Sequence, residues 1–211
     1  MTESEFRAIY PSVLGWVQHT LRQYAPAARL ISSFGFQRLP DFYDAETLAK
    51  VRAVTVDKVP VPPLSAMGFD RFTDFERMEA AGISYLDTYF LRVDQAWDES
   101  LHFHELVHVV QWRILGPERF LWLYADGLER YGYRNSPLEV MAYELQARFD
   151  AGGASFDVEA EVARCLSSTN LDGRPFTLVD SPPADPNGSD TRSRTACWPL
   201  LSIRRTCCYF S

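Results

Sequence analysis

One stretch of the chain places ionisable side chains inside an apolar helix. Residues 102–112 read HFHELVHVVQW and contain three of the four histidines of the chain. Asp98 or Ser100 can cap a helix that begins before this stretch, and Gly116 followed by Pro117 is a helix stop signal. Because most of the intervening residues are apolar, we expect this helix to be buried on nearly all sides. Its histidines and glutamate then need partners inside the protein.

Two of the histidines can face one point. His104 and His108 are four residues apart, so on a helix they differ by about 40° and one turn. Glu105 lies beside them, where its carboxylate can accept a proton from water that a metal ion has activated. The pattern predicts a Zn²⁺ site with His104 and His108 as ligands and Glu105 as the catalytic base. The alternative is a pair of histidines that are hydrogen-bonded in an ordinary core.

His102 is excluded from this site by its position. It lies two residues before His104, about 200° around the helix, so both side chains cannot reach one ion while the helix stays regular. We predict that His102 lies at the surface where the helix begins.

The third ligand must be acidic. A catalytic zinc ion has three protein ligands and one open position, and no histidine follows His108 in the chain. The sequence RNSPLEVMAYELQARFDAGG, residues 134–153, predicts a helix that carries Glu139 and Glu144. These glutamates are about 140° apart on a helix, so only one of them can face the metal.

Glu139 is the better candidate of the two. It shares a helix face with Ala142, whose small side chain would let this helix approach the histidine helix closely. Asn135 or Ser136 can cap the helix, and Ser136 with Glu139 also fits a capping box, in which the glutamate would only bond to the start of its own helix. The sequence leaves both roles of Glu139 open.

The pair of motifs resembles a known class of peptidase. HELVH followed by NSPLEVMAY is similar to the gluzincin branch of the zincin metallopeptidases, and to small bacterial proteins that carry HELVHxxQ followed by Asn-x-Pro-x-Glu-x-x-Ala-Tyr. The resemblance covers residues 83–149. It implies that His104, His108 and Glu139 bind zinc, with Glu105 as the general base.

The resemblance also has a gap. Many gluzincins place an aspartate after the alanine, where it orients a ligand histidine, but this chain has Tyr143 there, so the orienting residue stays unassigned. The resemblance implies in addition that residues 85–91 form a sheet edge along which an extended peptide could pair.

These residues predict a zinc-dependent hydrolase that acts on a peptide or protein substrate. Tyr133 and Tyr143 are the candidates for stabilising the oxyanion, and Tyr131 and Arg134 lie in the same segment. Two other functions fit the sequence: a non-catalytic helical module that zinc stabilises, and a helical interaction protein without metal. The fourth ligand position distinguishes the first of these from an enzyme, because a structural site is closed.

The expected fold is α+β: a mainly helical, zincin-like domain at residues 1–166, with a small sheet beside the HExxH helix. We expect one strand at residues 83–93, and an N-terminal helix that Pro11 kinks or divides. Residues 167–211 are rich in Ser, Thr, Pro, Asp, Gly and Arg without apolar periodicity, which predicts a disordered tail.

Composition excludes several classes of partner. The formal net charge of −7 and the absence of a basic block argue against nucleic acid. No run approaches the roughly 18 apolar residues of a membrane span, and the acidic start MTESEFRAIY lacks the features of a signal peptide. Four cysteines without a CxxC pair do not form a disulfide framework or a zinc knuckle. We therefore expect a cytoplasmic protein, and the sequence does not set its oligomeric state.

Overall fold

Helices make up most of the described chain. The computed structural model describes residues 1–168, and the predicted tail lies outside them, except for the last two residues of the final helix. Within residues 1–168 the α-helices are α1 (Glu3–Tyr24), α2 (Ala45–Lys50), α3 (Thr73–Arg77), α4 (Glu99–Tyr131), α5 (Pro137–Asp150) and α6 (Val158–Ser168). None of these helices combines the length and the apolar character needed to cross a membrane.

A small mixed sheet lies beside α4. Its strands are β1 (Arg29–Leu30), β2 (Arg52–Val56), β3 (Gly82–Tyr85) and β4 (Thr88–Arg92), in the order β1-β2-β4-β3. Strands β2 and β4 are parallel, and the two outer pairs are antiparallel. The prediction of an α+β, mainly helical fold with a small sheet next to the HExxH helix is confirmed.

The prediction of one strand at residues 83–93 was wrong. This segment is a hairpin of β3 and β4, and its turn contains Leu86 at a φ of 58°. A left-handed conformation is uncommon for leucine, and no glycine or asparagine marks the turn in the sequence. Most of residues 85–91 therefore belong to β4, which is an inner strand, and the edge strand next to β4 is β3.

Helix α1 continues through Pro11 instead of dividing there. Its first turn is fixed by a capping box between Thr2 and Glu5. A proline removes one helical hydrogen bond and crowds the carbonyl four residues earlier, here that of Arg7. Because Pro11 and Arg7 both lie on the exposed side of α1, solvent can reach this carbonyl, and the opposite face still packs as a regular helix.

Helix α4 contains the predicted break. Asp98 caps its start by accepting hydrogen bonds from the backbone N–H groups of Ser100 and Leu101. Gly116 has non-helical dihedral angles (φ 73°, ψ 164°), so two helical segments meet there, and the second ends before Gly132. Residues 102–112 are buried without interruption, which confirms the expectation that this stretch of the helix is buried on nearly all sides.

The placement of His102 at the surface was wrong. Its side chain is fully buried between the rings of Phe34 and Phe36, with ring centroids 4.9 and 4.6 Å away. Burial lowers the pKa of His102 to about 4, so the ring is neutral. Its Nε2–H donates to the carbonyl of Ala96 at 3.0 Å, and its Nδ1 accepts from the Tyr89 hydroxyl at 2.6 Å. His102 is a core residue with both nitrogens satisfied.

Replacing His102 by leucine should therefore destabilise the fold. The Tyr89 hydroxyl and the Ala96 carbonyl would each lose a buried partner, and we expect the free energy of unfolding to fall by about 2 to 4 kcal/mol. Chemical denaturation measures this change. The matched control is His19→Leu at an exposed position of α1, where the change should stay within about 0.5 kcal/mol. Equal stability of the two variants would contradict a core role for His102.

Candidate metal centre

Packing of α5 against α4 brings the three predicted ligands together. The Nε2 atoms of His104 and His108 are 3.1 Å apart. The Glu139 carboxylate faces both, with Oε2 at 3.4 Å from His104 Nε2 and Oε1 at 3.4 Å from His108 Nε2. All three side chains are buried, and their ligand atoms lie within 4.8 Å of one another. Glu144, the other glutamate considered, is not in this group.

Glu139 does not cap its helix. Ser136 occupies the N-cap position of α5, but its side chain makes no capping hydrogen bond within the described chain. The Glu139 carboxylate instead accepts a hydrogen bond from the Tyr124 hydroxyl at 2.7 Å. The capping-box alternative is therefore wrong, because the side chain of Glu139 points across to α4 and not back along α5.

One oxygen of this carboxylate has no hydrogen bond. Glu139 is 1% exposed, and its Oε2 atom finds no hydrogen-bond partner among residues 1–168. The nearest ion-pair partner of this oxygen is the imidazole of His104, whose Nε2 atom lies 3.4 Å away. A contact at this distance offsets only part of the cost of burying the carboxylate oxygen away from water. A cation between Glu139 and the two imidazoles would remove this cost.

The orientation of the His108 ring is set by Gln111. The Nε2 of Gln111 donates to the backbone carbonyl of Leu138 at 3.0 Å, which leaves the amide oxygen facing His108 Nδ1 at 2.8 Å. That oxygen can only accept, so Nδ1 carries the proton and the lone pair of a neutral His108 lies on Nε2. This nitrogen is the one that faces Glu139.

Gln146 sets the orientation of the His104 ring in the same way. Its Nε2 donates to the Ser100 hydroxyl at 2.9 Å, and its Oε1 lies 3.0 Å from His104 Nδ1. The two glutamines thus orient the two imidazoles, and they supply what the missing aspartate at position 143 would have given. Sequence reasoning missed both roles.

The site accordingly needs a positive charge at its centre. Two imidazole lone pairs and a carboxylate converge there, and either a proton or a metal ion can satisfy them. Burial by itself would lower the pKa of His108, but the charge of Glu139 and the hydrogen bond to it outweigh burial and raise the pKa to about 9. Two nitrogens and one carboxylate oxygen form a donor set that suits Zn²⁺.

Glu105 lies in the same region but is held separately. Its Oε2 atom is 2.7 Å from the hydroxyl of Ser84 in β3. The backbone carbonyl of Ser84 in turn accepts a hydrogen bond from Trp112 at 3.0 Å. Burial raises the pKa of the Glu105 carboxyl, and the imidazoles of His104 and His108 oppose this rise.

Strand β3 passes very close to the carboxyl group of Glu105, and the closest approach is at Gly82. A Cβ atom at Gly82 would overlap Oε1 of Glu105 and would lie 2.9 Å from its Cδ atom. The close approach of β3 therefore depends on the absence of a side chain here. Ser84 and Gly82 together determine where the carboxylate of Glu105 points.

The candidate oxyanion residues lie beside the metal group. The ring of Tyr143 has its centroid 4.6 Å from that of His104, and Tyr133 lines a cavity that also reaches His108 and Glu139. Burial and the nearby Glu139 raise the pKa of Tyr133. The other two candidates in the segment, Tyr131 and Arg134, are exposed.

Tyr124 was not predicted. It lies in the segment of α4 that follows Gly116, and the break at this glycine removes any fixed angular relation to the histidines of the first segment. Burial raises the pKa of Tyr124 strongly, with a further contribution from Glu139, so it acts as a hydrogen-bond donor. By holding Glu139 Oε1, it leaves Oε2 directed to the centre of the site.

Residues 1–168 supply no fourth ligand to the group. Within residues 1–168, His104, His108 and Glu139 are the one set of three or more His, Cys, Asp or Glu side chains whose geometry could hold a metal ion.

Comparison of the chain with protein-family models, with curated proteins and with solved structures finds no match. The geometry of the residues themselves is therefore the basis for a functional conclusion.

Removing the Tyr124 hydroxyl should weaken metal binding. In Tyr124→Phe the carboxylate of Glu139 loses the hydrogen bond that orients it, and we expect the affinity for zinc to fall by about 10- to 100-fold. Competition with a chromogenic chelator measures the dissociation constant. Tyr10→Phe is the matched control, because Tyr10 lines the same cavity at a different position. An unchanged affinity in Tyr124→Phe would show that the tyrosine does not position Glu139.

Proposed function

We propose that this protein is a zinc-dependent hydrolase of peptide bonds. The observation that carries the proposal is the convergence of three buried groups: the Oε2 atom of Glu139 accepts no hydrogen bond within residues 1–168 and lies 3.4 Å from His104 Nε2. The other nitrogens of His104 and His108 are already bonded to glutamines. Such an arrangement fits a resident cation better than an ordinary hydrogen-bonded core, in which each buried polar atom has a partner. His104, His108 and Glu139 would hold the ion.

Two features support a catalytic site over a structural one. A structural zinc site has four protein ligands, and the described residues provide three. Glu105 is also buried next to the group without belonging to it, with Ser84 as its own hydrogen-bond partner. A second carboxylate in this position is of no use to a structural ion, but a hydrolase needs it as a base.

The residues divide the chemical work as follows. Zinc, when bound, would supply a Lewis acid that polarises the carbonyl of the substrate and acidifies water. Glu105 takes the proton from the attacking water and passes it to the departing amine, while Ser84 keeps its carboxylate in place. Tyr133 and Tyr143 border the group and would stabilise the negative charge on the carbonyl oxygen. The hydroxyl of Tyr124 already donates to Glu139.

The sheet offers a place for an extended substrate. Among the described residues, β3 is an edge strand because it pairs with β4 alone. Its residue Ser84 contacts Glu105. A peptide that adds to a sheet edge gains main-chain hydrogen bonds that do not depend on its sequence. The carbonyl of Ser84 already accepts the hydrogen bond from Trp112, so a peptide would pair with the other main-chain groups of β3. The expected edge thus moves from residues 85–91 to β3.

The proposal is tested by zinc content and cleavage in matched variants. The purified wild type should hold one zinc ion per chain and cleave members of a peptide library. Glu139→Gln and His108→Ala should lose the zinc, because each removes a ligand. Glu105→Gln should keep the zinc and lose cleavage by about 100-fold or more. Elemental analysis and mass spectrometry of the library measure the two properties.

The control for Glu139→Gln is Glu144→Gln. It makes the same chemical change on the same helix, outside the metal group, and should leave zinc content and cleavage unchanged. Zinc at the wild-type level in Glu139→Gln would exclude this glutamate as a ligand. Equal cleavage by wild type and Glu105→Gln would exclude Glu105 as the base. A wild type that holds zinc without cleaving any peptide would favour a non-catalytic, zinc-stabilised module, and a wild type without zinc would favour a helical interaction protein.

A methyl group at Gly82 should disturb the base without disturbing the metal. In Gly82→Ala the carboxylate of Glu105 must move, and a shift of this size at a catalytic group lowers the cleavage rate by about 100-fold. Zinc content should remain at the wild-type level. In the control Gly15→Ala, a Cβ has no neighbour within 4 Å in the described chain, and the change should stabilise α1 by about 0.5 to 1 kcal/mol. Full cleavage by Gly82→Ala would contradict the role given to β3.

A further inference from the structure

Helices α4 and α5 meet along a row of polar contacts. His108 contacts Glu139 near the start of α5, whereas Ser100, in the first turn of α4, contacts Asp150 at the end of α5. The two helices therefore run antiparallel. His108 and Glu139 are buried and Asp150 is exposed, so the row leads from the metal group to the surface of the protein.

Three hydrogen bonds connect the ring of His104 to this surface. Its Nδ1 atom lies 3.0 Å from Oε1 of Gln146, and Nε2 of Gln146 donates to the Ser100 hydroxyl at 2.9 Å. The Ser100 hydroxyl in turn donates to Oδ2 of Asp150 at 2.9 Å. Ser100 and His104 are one turn apart on α4, and Gln146 and Asp150 are one turn apart on α5, so each pair shares a helix face. These three bonds form the His104 relay.

The carboxylate at the outer end sets the direction of the relay. An ionised carboxylate can only accept hydrogen bonds, so the single proton of the Ser100 hydroxyl points to Asp150. The oxygen of Ser100 then accepts from the amide nitrogen of Gln146, and the amide oxygen of Gln146 faces His104. Because this oxygen accepts from Nδ1–H, the lone pair of a neutral His104 lies on Nε2. That nitrogen is the one that faces Glu139.

The corresponding bonds of His108 end inside the protein. Gln111 accepts from His108 Nδ1, and its amide nitrogen donates to the carbonyl of Leu138 and lies 3.4 Å from the Sδ atom of Met141. Leu138 and Met141 are both uncharged and buried. The two imidazoles thus differ in what holds them, because the orientation of His104 alone depends on a charged side chain at the surface.

We propose that Asp150 is a positioning residue of the metal site, which acts on His104 through Ser100 and Gln146. Hydrogen bonds in a series polarise one another, so the carboxylate strengthens each bond of the relay. The Nε2 atom of His104 thereby becomes a better ligand for zinc. The effect on zinc affinity rests on the proposed function, whereas the orientation of the ring does not require a metal.

The test uses two substitutions that interrupt the relay. Asp150→Asn can offer Ser100 a donor as well as an acceptor, so the direction of the bonds is no longer set, and Ser100→Ala removes the link. We expect the dissociation constant for zinc, measured by chelator competition, to rise by about tenfold in each variant. Ser100→Thr keeps the hydroxyl and should retain the wild-type affinity. Because both substitutions act on one relay, adding Asp150→Asn to Ser100→Ala should change the affinity by less than about twofold.

NMR spectra of the histidine rings measure the positioning directly, also in the metal-free protein. The Nδ1–H signal of His104 is identified by its loss in His104→Gln. In Asp150→Asn and Ser100→Ala this proton should exchange with water about tenfold faster than in the wild type, because its hydrogen bond opens more often. The signal of His108 should stay unchanged. Asp94→Asn, which removes the same charge at an exposed position outside the relay, should leave both signals and the zinc affinity unchanged.

The results distinguish failure of the positioning role from failure of the proposed function. A His104 signal that stays unchanged in both variants would overturn the role of Asp150. Wild-type zinc affinity in Asp150→Asn, or an equal loss in Asp94→Asn, would also overturn it. If the wild type binds no zinc while Asp150→Asn still changes the His104 signal, the orientation of the ring by Asp150 stands and only the zinc-dependent function fails. Because Asp150 is exposed, the test remains valid if Ser100→Ala folds poorly.

Discussion

The buried carboxylate of Glu139 is the constraint on which the rest of the structure depends. A carboxylate that is 1% exposed must meet positive charge or hydrogen-bond donors, because it has lost its hydration. Two imidazoles of α4 lie against this carboxylate. Because Glu139 belongs to α5, this contact requires α5 to pack closely against α4. Gly127 makes this approach possible: a Cβ at this position would lie 2.5 Å from the hydroxyl of Ser136 at the start of α5.

The sheet positions the side chain of Glu105. Although it is small, its strand β3 lies against α4 at the turn that carries Glu105, and it supplies both a hydroxyl from Ser84 and the side-chain-free space of Gly82. The proposed base, Glu105, is thus positioned by β3, whereas the proposed ligands lie on α4 and α5. This separation lets the carboxylates of Glu105 and Glu139 be buried in one region with different partners.

Local spacing predicted the centre of the site, and tertiary contacts determined what surrounds it. The four-residue interval between His104 and His108 fixes their common face on any regular helix, and the break at Gly116 follows from the properties of glycine and proline. His102 was misplaced because the angular argument excludes it from the metal without showing what packs against it. Its neighbours Phe34 and Phe36 are distant from it in the sequence. The same holds for the pair of Tyr124 and Glu139 and for the pair of Gln146 and His104. Long-range pairs of this kind carry no periodic signal in one sequence.

The most direct test of the central claim is the position of the metal itself. A crystal structure of the zinc-loaded protein, with anomalous diffraction recorded on both sides of the zinc absorption edge, locates the ion independently of its ligands. The account predicts one anomalous peak bonded to the Nε2 atoms of His104 and His108 and to the carboxylate of Glu139, with Glu105 close by but not coordinated. A peak at another place, or a Glu139 side chain turned back to cap α5 beside an ion that it does not bind, would contradict it.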